Sequence, residues 1–464
     1  MAGGTSTYLQ FPLHFAHPYN WPEELDPPSI SYRRQPCSLT QRRFEGRDEL
    51  IPQVDLNLFD AHAVLDWVQL KFFLTKKRQA RNVARTVNDV LRAQGERGNA
   101  FVAGPNERTP YVGHEFYLRL QDPTPRTLAL TLSAVRDKYL REEFAGTVFF
   151  IDAVEVSVDF YVKNPLDMEK SRCDLLRWQM VDLLRRHLRL PPDYTAQPRA
   201  RPRVKFAEAQ PVASLVNSRP PTWTKTLVDP ILALDLPRRA STVFHPTAYS
   251  PPVIDGTYYA GPKEGPVLVR IMNKETNRRD NAAKTFDPLD DEAKRARLEV
   301  MIKNGHPGLG AFTVLHSIGE VGDLYDFEFQ ALRSGMFEFF LPTLRPELAS
   351  LDLGLKGHIS EVDAFEKGGV YALHRLHEGE NELLRERRKH RMISEMPAKL
   401  RKHGFLRSFK ALNHKIDHAL IALARRWGRE ALLWELRDAG LSSAVTVETR
   451  PSGKSLAVRS TYSH

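Results

Sequence analysis

The sequence predicts an α+β fold whose antiparallel sheet is of the split β-α-β, ferredoxin-like or RRM-like, type, and three features carry that expectation. Residues 61–164 show strand and helix patterns in the order β-α-β-β-α-β, the first half of a core. A second β-rich block at 253–350 follows a Pro- and Arg-rich insertion or linker at 165–252. Residues 351–464 turn helical and basic. The remaining segment, 1–60, is rich in Pro and aromatics and reads as an N-terminal extension packed on the main body.

The elements follow from residue spacing. From Trp67 to Phe73 the chain is apolar and β-prone, hence a strand. Val83, Val87, Val90 and Leu91 are spaced for a helix between Lys77 and Gln94. Val102 marks a strand, and Val112–Leu120 another, with Phe116, Leu118 and Leu120 alternating against Tyr117 and Arg119. Leu128, Leu132, Val135 and Tyr139 give a second helix over Thr127–Leu140, and Thr147–Val162 is the clearest strand. A helix over Met168–Leu188 opens the insertion, whose prolines then dominate. The second block offers strands at Thr257–Ala260, Val267–Met272 and Arg297–Ile302. No repeat of fixed period occurs, and the two β-rich blocks qualify as halves of one sheet.

The chain has 464 residues and a formal charge of +10, with an isoelectric point near 9.4. Such an excess of Lys and Arg favours polyanions through counterion release. Only Cys37 and Cys173 occur, which excludes a disulfide framework and a Cys-rich zinc site and fits a reducing, cytoplasmic compartment. The N-terminus lacks a secretory pattern, and no apolar run approaches the roughly 20 residues of a membrane span. Nucleic acid, with no membrane, is therefore the expected partner. A homodimer stays open.

Three segments carry candidate chemistry. In Val154-Glu155-Val156-Ser157-Val158-Asp159 the alternation sets Glu155, Ser157 and Asp159 on one strand face. Their carboxylates suit Mg or Mn, but four residues of strand span about 13 Å. Glu155 and Asp159 therefore do not grip one ion together, and either needs ligands from neighbouring strands; the plain alternative is a solvated face. Arg295, Arg297 and Glu299 share a face while Ala296, Leu298 and Val300 point inward, which gives either a salt bridge or a metal ligand beside phosphate-binding groups. Tyr258 and Tyr259 precede a turn at Gly261-Pro262-Lys263, and Arg270 and Lys274 share one face of the strand beyond it. A tyrosine beside basic groups is a nucleophile towards a phosphodiester or else a rim aromatic.

Together these segments resemble the replication-initiation-factor family of plasmid rolling-circle initiators and the related relaxases of conjugative elements. The likeness runs in order over residues 63–345: the strand Leu65-Asp66-Trp67-Val68-Gln69-Leu70; acids four apart at Glu155 and Asp159; the turn Tyr259-Ala260-Gly261; Arg270-Ile271-Met272-Asn273-Lys274; and Arg297-Leu298-Glu299, with Lys303 after it. The resemblance implies a DNA replication initiator or relaxase, an endonuclease that nicks and rejoins a strand at an origin or transfer origin. Metal would be held by Glu299, Glu155 or Asp159, and a tyrosine would link covalently to the 5′ end. Tyr259, Tyr258 and Tyr325 are the candidate nucleophiles, and Arg270, Lys274, Arg295, Arg297 and Lys263 the candidate DNA contacts. The chain departs from the family where it has Ala153-Val154-Glu155 in place of Arg-x-Asp, and in the length of its insertion.

The alternative is a non-catalytic DNA-binding protein of the same fold. An RNA-binding reading lacks paired aromatic motifs on central strands. No P-loop motif occurs, and no His-x-His. In the tail, Arg385, Arg387, Arg388, Lys389 and Arg391 cluster, and Leu412, Ile416, Leu420, Leu423 and Trp427 line one helix face opposite Lys415, Arg425 and Arg426. That pattern fits a DNA-docking module or a solvated helical hairpin.

Overall fold

A computed structural model describes residues 8–15, 21–37, 42–105, 110–140, 149–190, 203–205, 254–261, 265–280, 285–303, 321–345, 361–388, 405–438, 445–449 and 456–460. Three strands, β1 (Tyr8–Pro12), β2 (Ser29–Pro36) and β3 (Asp48–Pro52), form from the N-terminal extension. The long β4 (Phe59–Gln79) follows, then α1 (Ala80–Ala93), β5 (Ala100–Ala103), β6 (Val112–Gln121), α2 (Pro125–Tyr139) and β7 (Phe150–Val162). The expected β-α-β-β-α-β order holds, although β4 runs through Gln79, so α1 starts at Ala80. Helix α2 begins where it does because Thr124 caps it, accepting from the Thr127 N–H, with Pro125 at the first turn.

Beyond β7 lie α3 (Lys170–His187) and β8 (Arg203–Lys205), then β9 (Thr257–Ala260), β10 (Val267–Lys274), β11 (Thr276–Asp280), β12 (Thr285–Pro288) and β13 (Arg295–Lys303). Further along lie the short α4 (Val321–Tyr325), a single helical turn at Arg333–Met336, β14 (Phe340–Leu344), α5 (Glu361–Arg388), β15 (Leu406–Ser408), α6 (Lys410–Asp438), β16 (Val445–Thr449) and β17 (Leu456–Ser460).

The strand order of the main sheet is β5-β6-β4-β7-β13-β10-β9-β8, antiparallel at each pairing. Its first four strands have the split β-α-β arrangement, and β7 joins β13, so the two β-rich blocks are halves of one sheet. A second sheet, β1-β2-β3-β14-β15, unites the N-terminal extension with the far end of the chain; β11-β12 and β16-β17 are separate two-stranded pairs.

Alternation decides which face is core. Leu65, Val68, Leu70 and Phe72 of β4, Val154, Val156, Val158 and Phe160 of β7, and Leu298 and Val300 of β13 are buried in one cluster with residues of α1, α2, α3 and α6. Removing a ring such as Phe72 or Phe160 from water contributes about 1.5–3 kcal/mol each. Helix α3, expected within a linker, belongs to this core: Met180, Val181, Leu183 and Leu184 are buried there. The insertion also supplies β8, paired with β9. In α6 the apolar stripe Leu412, Ile416, Leu420 and Trp427 is buried in the same cluster. Lys415 Nζ donates to Phe59 O at 2.7 Å and Arg426 Nη2 to Ala63 O at 2.9 Å, so this helix is docked on β4 rather than a solvated hairpin.

Helices α3 and α5 approach closely at Gly369, whose φ is +60°. A Cβ there would strike the Arg186 carbonyl oxygen. Among the described residues, no helix is long and apolar enough to cross a membrane. Cys37 and Cys173 are both free and buried.

Candidate functional site

The side chains that alternate away from the core gather polar groups on the other face of the sheet. Register fixes the neighbours: Glu299 lies beside Ser157 and Arg270, Arg297 beside Asp159 and Met272, Met301 beside Glu155, and Lys274 beside Arg295. A β-bulge adds Asp66. Leu65 pairs with Val156 and Trp67 with Glu155, so Asp66 is the extra residue, and Asp66 and Trp67 both leave the core face.

Asp66, Glu155 and Glu299 each offer a carboxylate oxygen, and these atoms lie within 4.8 Å of one another. They come from three different strands. Glu155 and Glu299 are buried, and Asp66 is half-buried. Burial pushes the Asp66 carboxyl up to about 6 and the Glu155 carboxyl up to about 7. Arg297 opposes the rise at Asp66 and Arg270 that at Glu155, with which it is ion-paired; Arg270 Nη2 also lies 2.7 Å from Glu299 Oε2. Ser157 Oγ donates to Asp66 Oδ2.

The acids of β7 are thus not a solvated strand face. They also part company, as their spacing requires. Asp159, 1% exposed, sits outside the carboxylate cluster and accepts from Arg297 Nε at 2.5 Å and Nη2 at 2.6 Å, with Arg295 Nε 3.0 Å away. Arg297 also reaches Asp66 Oδ1 at 3.2 Å. Of the expected ligands, the structure brings Glu155 and Glu299 together and sets Asp159 in an arginine clamp. Sequence reasoning missed Asp66. It stood in the opening strand of the resemblance, but nothing in its spacing announced the bulge.

The tyrosines separate by alternation. Tyr259 pairs with Arg270 and packs beside a small apolar cluster of Trp67, Ala153, Leu268 and Met301 next to the carboxylates. Tyr258 pairs with Ile271 and is buried in the main core. Its ring faces away from the cluster, towards Arg185 of α3. Tyr325, in α4, packs against the main core. Lys274 shares the face of Arg270, and burial lowers its ammonium pKa. Lys263 lies outside the described residues.

No protein-family model matches the chain, and no curated protein matches it. Among solved structures it is similar to a rolling circle replication initiator protein from Geobacillus stearothermophilus, at 12% identity and a TM-score of 0.23, with 65% of this chain and 94% of that one covered. That likeness is weak, and the chemistry rests on the side chains themselves.

The donor set fits a hard divalent cation. Three carboxylates converge, two of them with a raised affinity for protons that a cation would displace, and all offer oxygen. Zinc would more commonly find His or Cys among its ligands.

Proposed function

We propose that this face binds DNA and cuts and rejoins one strand, as a replication initiator or relaxase does, with Asp66, Glu155 and Glu299 holding Mg or Mn. The observation that carries the reading is the meeting of three carboxylates from three strands beside Arg270, Lys274 and a half-buried tyrosine. When bound, the cation would polarise a phosphodiester and neutralise its charge.

The chain's own groups have distinct tasks in this reading. Tyr259 Oη attacks phosphorus, forming a phosphotyrosine bond as the bond from phosphorus to the 3′ oxygen breaks and releases a 3′ hydroxyl; the reverse step rejoins the strand. Arg270, electrostatically coupled to Tyr259, favours the phenolate. The phenol proton passes to solvent, since the three carboxylates are committed to the cation, and the departing 3′ oxygen takes a proton from solvent; Lys274 offers a cation to the phosphate. Arg297 and Arg295, committed to Asp159, position the strand that bears Glu299.

A second reading also has an observation behind it. Arg270 pairs with both Glu155 and Glu299, so the cluster is partly neutralised from within, as a structural ion-pair network in a non-catalytic DNA-binding protein would be. Supercoiled origin DNA incubated with the protein and Mn separates the two. The nicking reading expects relaxation and a protein–DNA adduct that Tyr259→Phe abolishes and Tyr258→Phe retains. No adduct with any supercoiled substrate, including the protein's own replicon, leaves the binding reading.

A further inference from the structure

The sheet face that holds the carboxylates continues across β7, β4, β6 and β5, and there it changes character. Phe73, Phe101 and Phe150 are 48%, 57% and 44% exposed, an unusual outlay of phenyl surface for one face. Register sets all three on the side opposite the core: Phe150 beside Lys71, Lys71 beside Tyr117, and Phe101 beside Arg119. The central strand β4 places exposed Phe73 on this face, with Trp67 buried beneath Arg119 at the end nearer the carboxylates.

Cations are interleaved with the rings. Lys71 Nζ lies 5.3 Å from the Phe73 centroid and 5.5 Å from that of Tyr117, and the Arg119 guanidinium stacks 4.3 Å from the Trp67 centroid. The nearby acids are already engaged: Glu115 is 2.7 Å from Lys71 Nζ, and Asp152 accepts from Gln69 Nε2 at 2.7 Å. At the end of β4, Lys76, Lys77 and Arg78 are exposed.

We propose that this face is a base-stacking track for single-stranded DNA that ends at the carboxylate cluster. The proposal rests on reading that cluster as a DNA-cutting site. Single-strand binders combine aromatic platforms with a positive path for the backbone, because every base offers a π-face once it is unpaired. A duplex hides those faces. A protein-binding patch would carry its apolar centre with charges depleted, whereas here Lys71 and Arg119 sit among the rings. The track also has a direction. From Phe73 to Trp67 β4 covers about 20 Å, and Trp67 adjoins Asp66, so a strand laid along the rings arrives at the carboxylates.

The test is fluorescence anisotropy of the full chain with a fluorescein-labelled thymidine dodecamer in EDTA, where no metal chemistry runs. Phe73→Ala/Phe150→Ala is expected to weaken binding at least about tenfold. Phe73→Trp/Phe150→Trp should retain it, and binding to a duplex of equal length should be unchanged by the alanine pair. Because the readout runs in EDTA, its outcome is separate from that of nicking. Equal affinity of parent and alanine variant overturns the track whatever the nicking result. So does tighter binding of a uridine dodecamer than of the thymidine one, or equal loss on single strand and duplex. A track that binds while no adduct ever forms supports the surface and refutes the enzyme.

Discussion

Replacing Arg297 by alanine isolates what the arginine clamp contributes. The guanidinium makes two short bonds to Asp159, 2.5 and 2.6 Å, and both side chains are shielded, Arg297 at 8% and Asp159 at 1% exposure. Deleting one partner of such a pair leaves a buried charge and costs about 3–5 kcal/mol. Arg295 remains 3.0 Å from Asp159 and takes up part of that charge, so the expected loss lies at the lower end, about 3 kcal/mol. Urea unfolding of Arg297→Ala against the parent, in EDTA, reads it directly. The double variant Arg297→Met/Asp159→Leu should recover more than half of the loss, because the uncompensated charge is gone. Full recovery is not expected, since Asp66 loses its 3.2 Å contact with Arg297 and Arg295 its 3.0 Å contact with Asp159. A loss below about 1 kcal/mol for Arg297→Ala, or a double variant no better than the single, would refute the clamp as described.

Three further outcomes are expected. Glu299→Gln should weaken Mn binding by at least about tenfold, measured by titration calorimetry, whereas Asp159→Asn should leave it nearly unchanged because Asp159 lies outside the cluster. His187 is fully buried, donating from Nδ1 to Phe340 O and accepting from the Tyr32 hydroxyl, and burial lowers its pKa to about 3. Its folded-state pKa is thus below the unfolded value, so its stabilising contribution is complete above pH 6.5 and falls as pH drops towards 3, by up to about 1.4 kcal/mol per unit. Unfolding midpoints for the parent and His187→Gln across that range should converge as pH falls. Gly369→Ala should destabilise by about 1–3 kcal/mol, seen as a lower Tm, because its positive φ and the Arg186 carbonyl both oppose a Cβ.

Period-two alternation made the main strands legible: Thr257–Ala260 is read at its true bounds, and Val154, Val156 and Val158 are assigned to the core face. The same alternation contained the choice between Tyr258 and Tyr259, but only the partner strand says which parity faces the carboxylates. Asp66 was hidden because a bulge breaks parity without changing composition. Phe73, Phe101 and Phe150 lie far apart in the chain and become one surface only through cross-strand register. The helix at 170–187 is legible from its spacing. Its burial depends on strands that return a hundred residues later.

The bulged cluster draws its carboxylates from both halves of the sheet: Asp66 and Glu155 from the first, Glu299 from the second. Ser157 and Glu299 are register partners about 140 residues apart, so the seam between β7 and β13 closes a long loop at considerable entropic cost. A cation gripped there would act as a staple across that seam, adding about 2.7 kcal/mol at a hundredfold excess over its Kd. Loading the site and completing the sheet would then be coupled events, and a chain whose halves had not yet joined would hold no assembled carboxylate cluster.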